Sequence, residues 1–86
     1  MNRQTAFSNA LACFHYLLSM YPDSIIGFSQ WCCEFELSMH VNLESYKSSS
    51  IVKDLDRIRL AGSSLDVATH MRPSTDVIHV YWHWGD

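Results

Sequence analysis

Eighty-six residues with 48% apolar and 13% aromatic side chains are enough for one packed domain, and they argue against disorder, because disordered chains lack the apolar area to offset ordering entropy. The formal charge of −3 argues against a generally basic nucleic-acid binder, and no stretch approaches the ~20 apolar residues of a membrane span. Cys13, Cys32 and Cys33 are odd in number and two of them are adjacent, which speaks against a disulfide framework and for buried free thiols in a reducing, cytoplasmic setting.

The first predicted element is a helix that starts near Gln4 or Thr5. Phe7, Leu11, Phe14, Leu18 and Tyr21 recur at steps of four and three, with Ala10 and Leu17 widening the stripe. Pro22 ends it, since the residue before a proline is pushed out of the helical region. Arg3 followed by the apolar run from Ala10 to Leu18 has a faint signal-peptide character. His15 and Tyr16 interrupt that run and helical periodicity continues beyond Cys13, so the segment reads as a core helix.

Tyr21-Pro22-Asp23 forms a turn, and Ser24 to Gly27 a short β-like segment. Phe28 to Leu37 is expected to be a second helix, capped by Ser29, with Phe28, Trp31, Cys32 and Phe35 on one side. On such a helix Glu34 and Glu36 point apart, as residues two positions apart must, and they read as a solvated face. Ser38 to Tyr46 is a connection or the start of the next helix, with Val41 and Leu43 tucked beneath the domain.

Ser48, Ser49 and Ser50 supply three successive candidate N-caps for a third helix. Ile51, Val52, Leu55 and Ile58 form its buried face, Lys53, Asp54 and Arg57 point outward, and Gly62 is placed as its C-terminal cap. An alternating hairpin follows. Leu65, Val67, Thr69 and Met71 make one arm; Ile78, Val80, Trp82 and Trp84 make the other, with His79, Tyr81 and His83 on the opposite face. Setting Met71 opposite Ile78 puts His70 against His79 and Asp66 against His83.

Charge is unevenly spread. Residues 22–45 carry Asp23, Glu34, Glu36 and Glu44 with no Lys or Arg, whereas residues 46–72 carry Lys47, Lys53, Arg57, Arg59 and Arg72 against Asp54, Asp56 and Asp66.

The order helix, short strand, helix, turn, helix, hairpin resembles the winged helix-turn-helix family. The phrase Ser49-Ser50-Ile51-Val52-Lys53-Asp54-Leu55-Asp56-Arg57-Ile58-Arg59-Leu60-Ala61-Gly62 is similar to that family's recognition helix and its closing glycine. The resemblance implies an α+β fold of three helices with a C-terminal β-hairpin wing, and binding to double-stranded DNA as a transcriptional regulator or as an accessory factor of a phage or mobile element. It implies a third helix in the major groove. Tyr46, Lys47, Ser48, Ser49, Ser50, Lys53 and Arg57 would then contact phosphates or base edges, and Arg72 would contact DNA from the wing. So few cations neutralise too few phosphates for high affinity, so a homodimer or a helper protein is expected. The connection from Ser38 to Tyr46 exceeds the family's tight turn, and Asp54 and Asp56 put negative charge on the reading helix. Those departures favour the alternative reading, a protein-interaction module that acts as an adaptor or inhibitor.

Catalysis is not expected: no Ser/His/Asp order, glycine-rich phosphate loop or nucleophile elbow is present. No metal or other cofactor is expected either. His79 and His83 lie four positions apart on a strand, about 13 Å, too far to share one zinc ion. The outer histidines read instead as a polar strand face able to gain charge near pH 6.

Overall fold

Alternation at every second residue, not at every third or fourth, governs the middle of the chain. The run Glu34-Phe35-Glu36-Leu37-Ser38-Met39-His40-Val41 places Phe35, Leu37, Met39 and Val41 on one side, and all four are buried. In the computed structural model, which describes residues 1–59, 63–72 and 75–85 (the backbone alone for 70–72), this run is a strand. The elements in chain order are α1 (Arg3–Met20), β1 (Ile25–Gln30), β2 (Glu34–Asn42), α2 (Ser48–Ile58), β3 (Ser63–Arg72) and β4 (Thr75–His83).

The strands form one antiparallel sheet in the order β1-β2-β4-β3. Both helices contribute to the core on one face of it, where Ala6, Ala10, Cys13 and Leu17 of α1 and Ile51 and Leu55 of α2 join the inward residues of β2 and β4. The fold is therefore α+β with two helices and a four-stranded sheet. The three-helix winged arrangement is overturned, because the segment expected to be its second helix is the β1–β2 hairpin. Aromatic residues at Phe28, Trp31 and Phe35 imitate a helical stripe. The strict alternation that follows and the pairing of β2 with neighbours on both sides prevail over that local pattern.

The first helix stands as expected in extent, with a different face inward. Asn2 caps it, its Oδ1 accepting from the Thr5 amide at 2.8 Å, and Tyr21 ends it just before Pro22. The small residues Ala6, Ala10 and Cys13 face the sheet and allow close approach. Phe7, Phe14 and Leu18 are displaced to the flank beside β1, where Phe7 and Phe14 pack on Phe28 with ring centroids 6.1 and 5.6 Å apart. Burial pushes the Cys13 thiol up to about 11, which the nearby Arg59 only partly offsets.

The third predicted helix forms as α2, with Ile51 and Leu55 buried and Val52 and Ile58 half-buried. None of the three serines caps it. Lys47 occupies the N-cap position without a side-chain hydrogen bond, and Ser48 Oγ instead donates to Asp76 Oδ2 at 2.6 Å, tying the helix start to β4. Gly62, expected as the C-cap, lies outside the described residues.

The C-terminal hairpin exists with a different register. Val67, not Met71, stands opposite Ile78, and Asp66 stands opposite His79 instead of His83. Between Ala68 and Arg72 the register shifts, β3 spending more residues than β4 over the same span, while Arg72 pairs with Thr75. The slip from the expected pairing is even, so Leu65 and Val67 keep the face of Val80 and Ile78 and Asp66 that of His79, whereas Thr69, expected inward, is exposed.

Candidate functional site

Two clusters of polar side chains carry chemistry. The first includes residues expected to meet DNA. Asp54, on the α1-facing side of α2, accepts hydrogen bonds from Tyr21 Oη and, at 3.4 Å, from Tyr16 Oη; Arg57 Nη2 donates to Asp54 Oδ1 at 3.1 Å and to Tyr16 Oη at 3.2 Å. Tyr21 is itself buried, with Tyr46 packed edge-on against it at 5.1 Å. This network ties the two helices together.

The hydrogen bond from Tyr21, with those from Arg57 and Tyr16, holds the Asp54 carboxyl below the usual carboxylate range, against an opposing effect of desolvation. Burial, then the bond to Asp54 and its negative charge, raises the Tyr21 phenol far above its ordinary value. The two shifts give opposite pH limits. Asp54 contributes stability that is present above the ordinary value of 3.8 and lost as the pH falls through its lower folded-state value. Tyr21 contributes stability that is present below the ordinary 10.0 and lost as the pH rises toward its raised folded-state value. Urea unfolding across pH 2–12 is therefore expected to show a plateau with losses at both ends. Tyr21→Phe should lower the plateau and flatten the alkaline loss; an unchanged alkaline limb in that variant would contradict the network.

The residues expected to read DNA are only partly brought together. Lys47, Ser49, Ser50 and Lys53 are exposed on the first turns of α2. Tyr46 is half-buried against Tyr21, Ser48 is engaged by Asp76, and Arg57 is held by Asp54 and Tyr16. Arg72 stands at the far end of β3, in the hairpin with β4. Arg59 is also committed, its Nε to Asp56 at 3.0 Å and its Nη1 to the Ser63 carbonyl at 3.0 Å.

The second cluster lies on the sheet face turned away from the helices. Glu34 and Glu36, which a helix would have aimed apart, stand on the same side of β2 because side chains two residues apart on a strand share a face. Register places Glu34 opposite His83, Glu36 opposite Tyr81 and Ser38 opposite His79, while β3 adds Asp66 beside His79 and Ser64 beside Tyr81. His79 Nδ1 lies 2.8 Å from Glu36 Oε2, and His83 Nδ1 lies 3.3 Å from Glu34 Oε2. Trp31, exposed at the end of the β1–β2 hairpin, donates its indole N–H to Glu36 Oε1 at 2.9 Å. His79 and Tyr81 stack with nearly parallel rings 6.1 Å apart.

Tyr81 is raised above its ordinary value, chiefly by desolvation and then by the charges of Glu36, Asp66 and Glu34, and so it remains a neutral hydroxyl. Neither β2 nor β4 contains a Lys or Arg. The face is thus acidic, with aromatic and imidazole rings interleaved among its carboxylates. The available signal was the alternation from Glu34 to Val41, which puts both glutamates on one side as soon as the segment is read as a strand.

Among the described residues no group of three or more His, Cys, Asp or Glu is arranged to hold a metal ion, and no helix is long and apolar enough to cross a membrane. Cys32 and Cys33 occupy the tip of the β1–β2 hairpin with their sulfurs 3.7 Å apart. The contact with Cys32 raises the Cys33 thiol, which opposes thiolate formation there. Comparison with protein-family models, with curated proteins and with solved structures finds no match to this chain.

Proposed function

We propose that this protein is a binding module without catalytic activity that engages a basic protein surface through the outer face of its sheet, as an adaptor or inhibitor does. The observation that carries this reading is the row Glu34, Glu36, Asp66, Tyr81, His79 and His83, with Trp31 at its rim, on a sheet face that neither helix covers. Carboxylates there attract Lys and Arg of a partner and steer its approach. Trp and Tyr supply the large, rigid contact area from which binding hot spots are built.

The same features weigh against nucleic acid, because carboxylates repel phosphates. On the opposite layer, Arg57 and Arg59 are paired with Asp54 and Asp56, which offsets their charge, while Lys47, Lys53 and Arg57 are exposed on or just before α2.

Two titrations of the folded, isotope-labelled protein at low salt test the reading, one with an Arg- and Lys-rich peptide and one with a mixed-sequence DNA duplex. The peptide is expected to shift the resonances of Trp31, Glu36, His79, Tyr81 and His83, and the shifts should disappear in Glu34→Lys/Glu36→Lys. Duplex binding centred on Lys47 and Lys53, with the sheet face unmoved by the peptide, would overturn it.

A further inference from the structure

The two edges of the sheet are built differently. β3 carries Asp66 and Arg72 and a register irregularity, two devices that keep an edge strand from pairing with a stranger. β1, Ile25 to Gln30, carries no charge, no proline and no irregularity in its pairing with β2. Large apolar side chains open to solvent also gather around it: Ile25 at 73% exposure, Trp31 at 57%, and, on the adjoining flank of α1, Phe7 at 42% and Leu18 at 46%. The geometry points to a two-fold homodimer in which β1 pairs antiparallel with β1 of a second copy, joining the two sheets into one.

The register follows from the hairpin. The Trp31 amide donates to the Glu34 carbonyl at 2.8 Å, so Trp31 and Glu34 form a hydrogen-bonded pair. In an antiparallel ladder such pairs alternate with non-bonded ones, so Ser29, Gly27 and Ile25 also direct their backbone groups toward β2. Ile26, Phe28 and Gln30 therefore direct theirs outward, away from the sheet.

A two-fold axis perpendicular to the sheet keeps the helices of both copies on one side, and it pairs only positions that share a face. Centred on Phe28, it lets Phe28 exchange a pair of hydrogen bonds with its own copy. Ile26 and Gln30 of one copy exchange pairs with Gln30 and Ile26 of the other, so every outward backbone group of the three residues is used. Centring on Gly27 uses fewer of them.

The Phe28 register also sets Ile25 directly opposite Trp31 of the second copy, and the symmetry repeats this at the other end. These are the two most exposed large apolar side chains among the described residues, and both lie on the outer face. On the helix side, Phe7, Phe14 and Leu18 of the two copies flank the axis above the paired Phe28 rings. A second copy is favoured over a foreign strand because this pairing is self-complementary in backbone and side chains at once. The dimer also places two acidic faces side by side, although its existence does not depend on what those faces bind.

Sedimentation equilibrium of the full chain, combined with amide exchange, tests this. The wild type is expected to sediment at twice the 9.9 kDa chain mass, with the Ile26, Phe28 and Gln30 amides protected from exchange. Ile25→Lys should leave the circular dichroism unchanged, because the side chain is exposed, while weakening dimerisation by ~10-fold or more and releasing those three amides. Ser64→Lys, on exposed β3, should leave the dimer intact. A monomer at every accessible concentration overturns the proposal, whether or not β1 then accepts a foreign peptide. A dimer that withstands Ile25→Lys with the three amides exchanging freely overturns it as well.

Discussion

Replacing Trp82 with alanine is expected to cost about 3–5 kcal/mol, the usual range for truncating a fully buried Trp or Phe. Trp82 has no solvent exposure, sits on β4 opposite Phe35 of β2 and Ser63 of β3, and is the largest of the fully buried side chains. Its loss opens a cavity under β4, a strand paired on both sides that cannot collapse inward. In a domain of this size each kcal/mol lowers the melting temperature by about 4–8 °C, so the variant should melt tens of degrees lower.

Trp82→Phe sharpens the test. Among the described residues nothing accepts a hydrogen bond from the buried indole Nε1, and such an orphan donor is penalised by ~1–3 kcal/mol. Phenylalanine loses volume and relieves that penalty together, so its cost should be far smaller than that of alanine. Chemical denaturation followed by circular dichroism measures both. Equal losses for the two variants would contradict the role assigned to the indole N–H, and a negligible loss for alanine would contradict the core.

Leu55→Ala is expected to cost about 2–5 kcal/mol and to act more locally. Leu55 and Ile51, one turn apart, are the fully buried side chains by which α2 enters the core. Polar ties hold the same helix at its ends and middle, from Ser48 to Asp76, Asp54 to Tyr21 and Arg59 to Ser63. These ties give direction to the docking, while burial of the two aliphatic side chains supplies most of the free energy. Removing Leu55 should therefore release α2 before the sheet opens, with its amides exchanging faster than those of β2 and β4. Lys53→Ala, on the exposed side, should change stability by no more than about 0.5 kcal/mol. If the two variants behave alike, α2 does not dock through Leu55.

The elements that were legible in the chain are those whose periodicity agrees with their environment. α1 ends at Tyr21 as Pro22 demands, α2 repeats its aliphatic residues at helical spacing, and β4 alternates cleanly from Ile78 to Trp82. Phe28 to Leu37 imitates a helix because aromatic residues on both arms of a hairpin fall by coincidence at helical intervals. A stripe alone also left the facing of α1 undecided. Phe7 and Leu18 belong to the more hydrophobic side, yet Ala6 and Ala10 face the sheet because small residues allow the helix to come closer.

The same coincidence conceals the candidate site. Two glutamates at i and i+2 diverge on a helix and stand side by side on a strand, so a change of period alone turns Glu34 and Glu36 from scattered surface charge into an acidic pair. Their partners His83 and His79 lie more than forty residues along the chain. No local pattern announces such a pairing.

By itself the sequence determined an α+β class, the extent of α1, the start of α2, the alternation of the last strand and an overall acidic balance, because each depends on composition or on neighbours a few residues apart. Only the tertiary structure decided the rest: the sheet order β1-β2-β4-β3, the commitment of Ser48 and Arg57 to Asp76 and Asp54, the acidic outer face, and the bare edge of β1. Strand pairing and side-chain capture bring together residues far apart in the chain, and the free energy that selects them comes from shared burial, which no short segment contains.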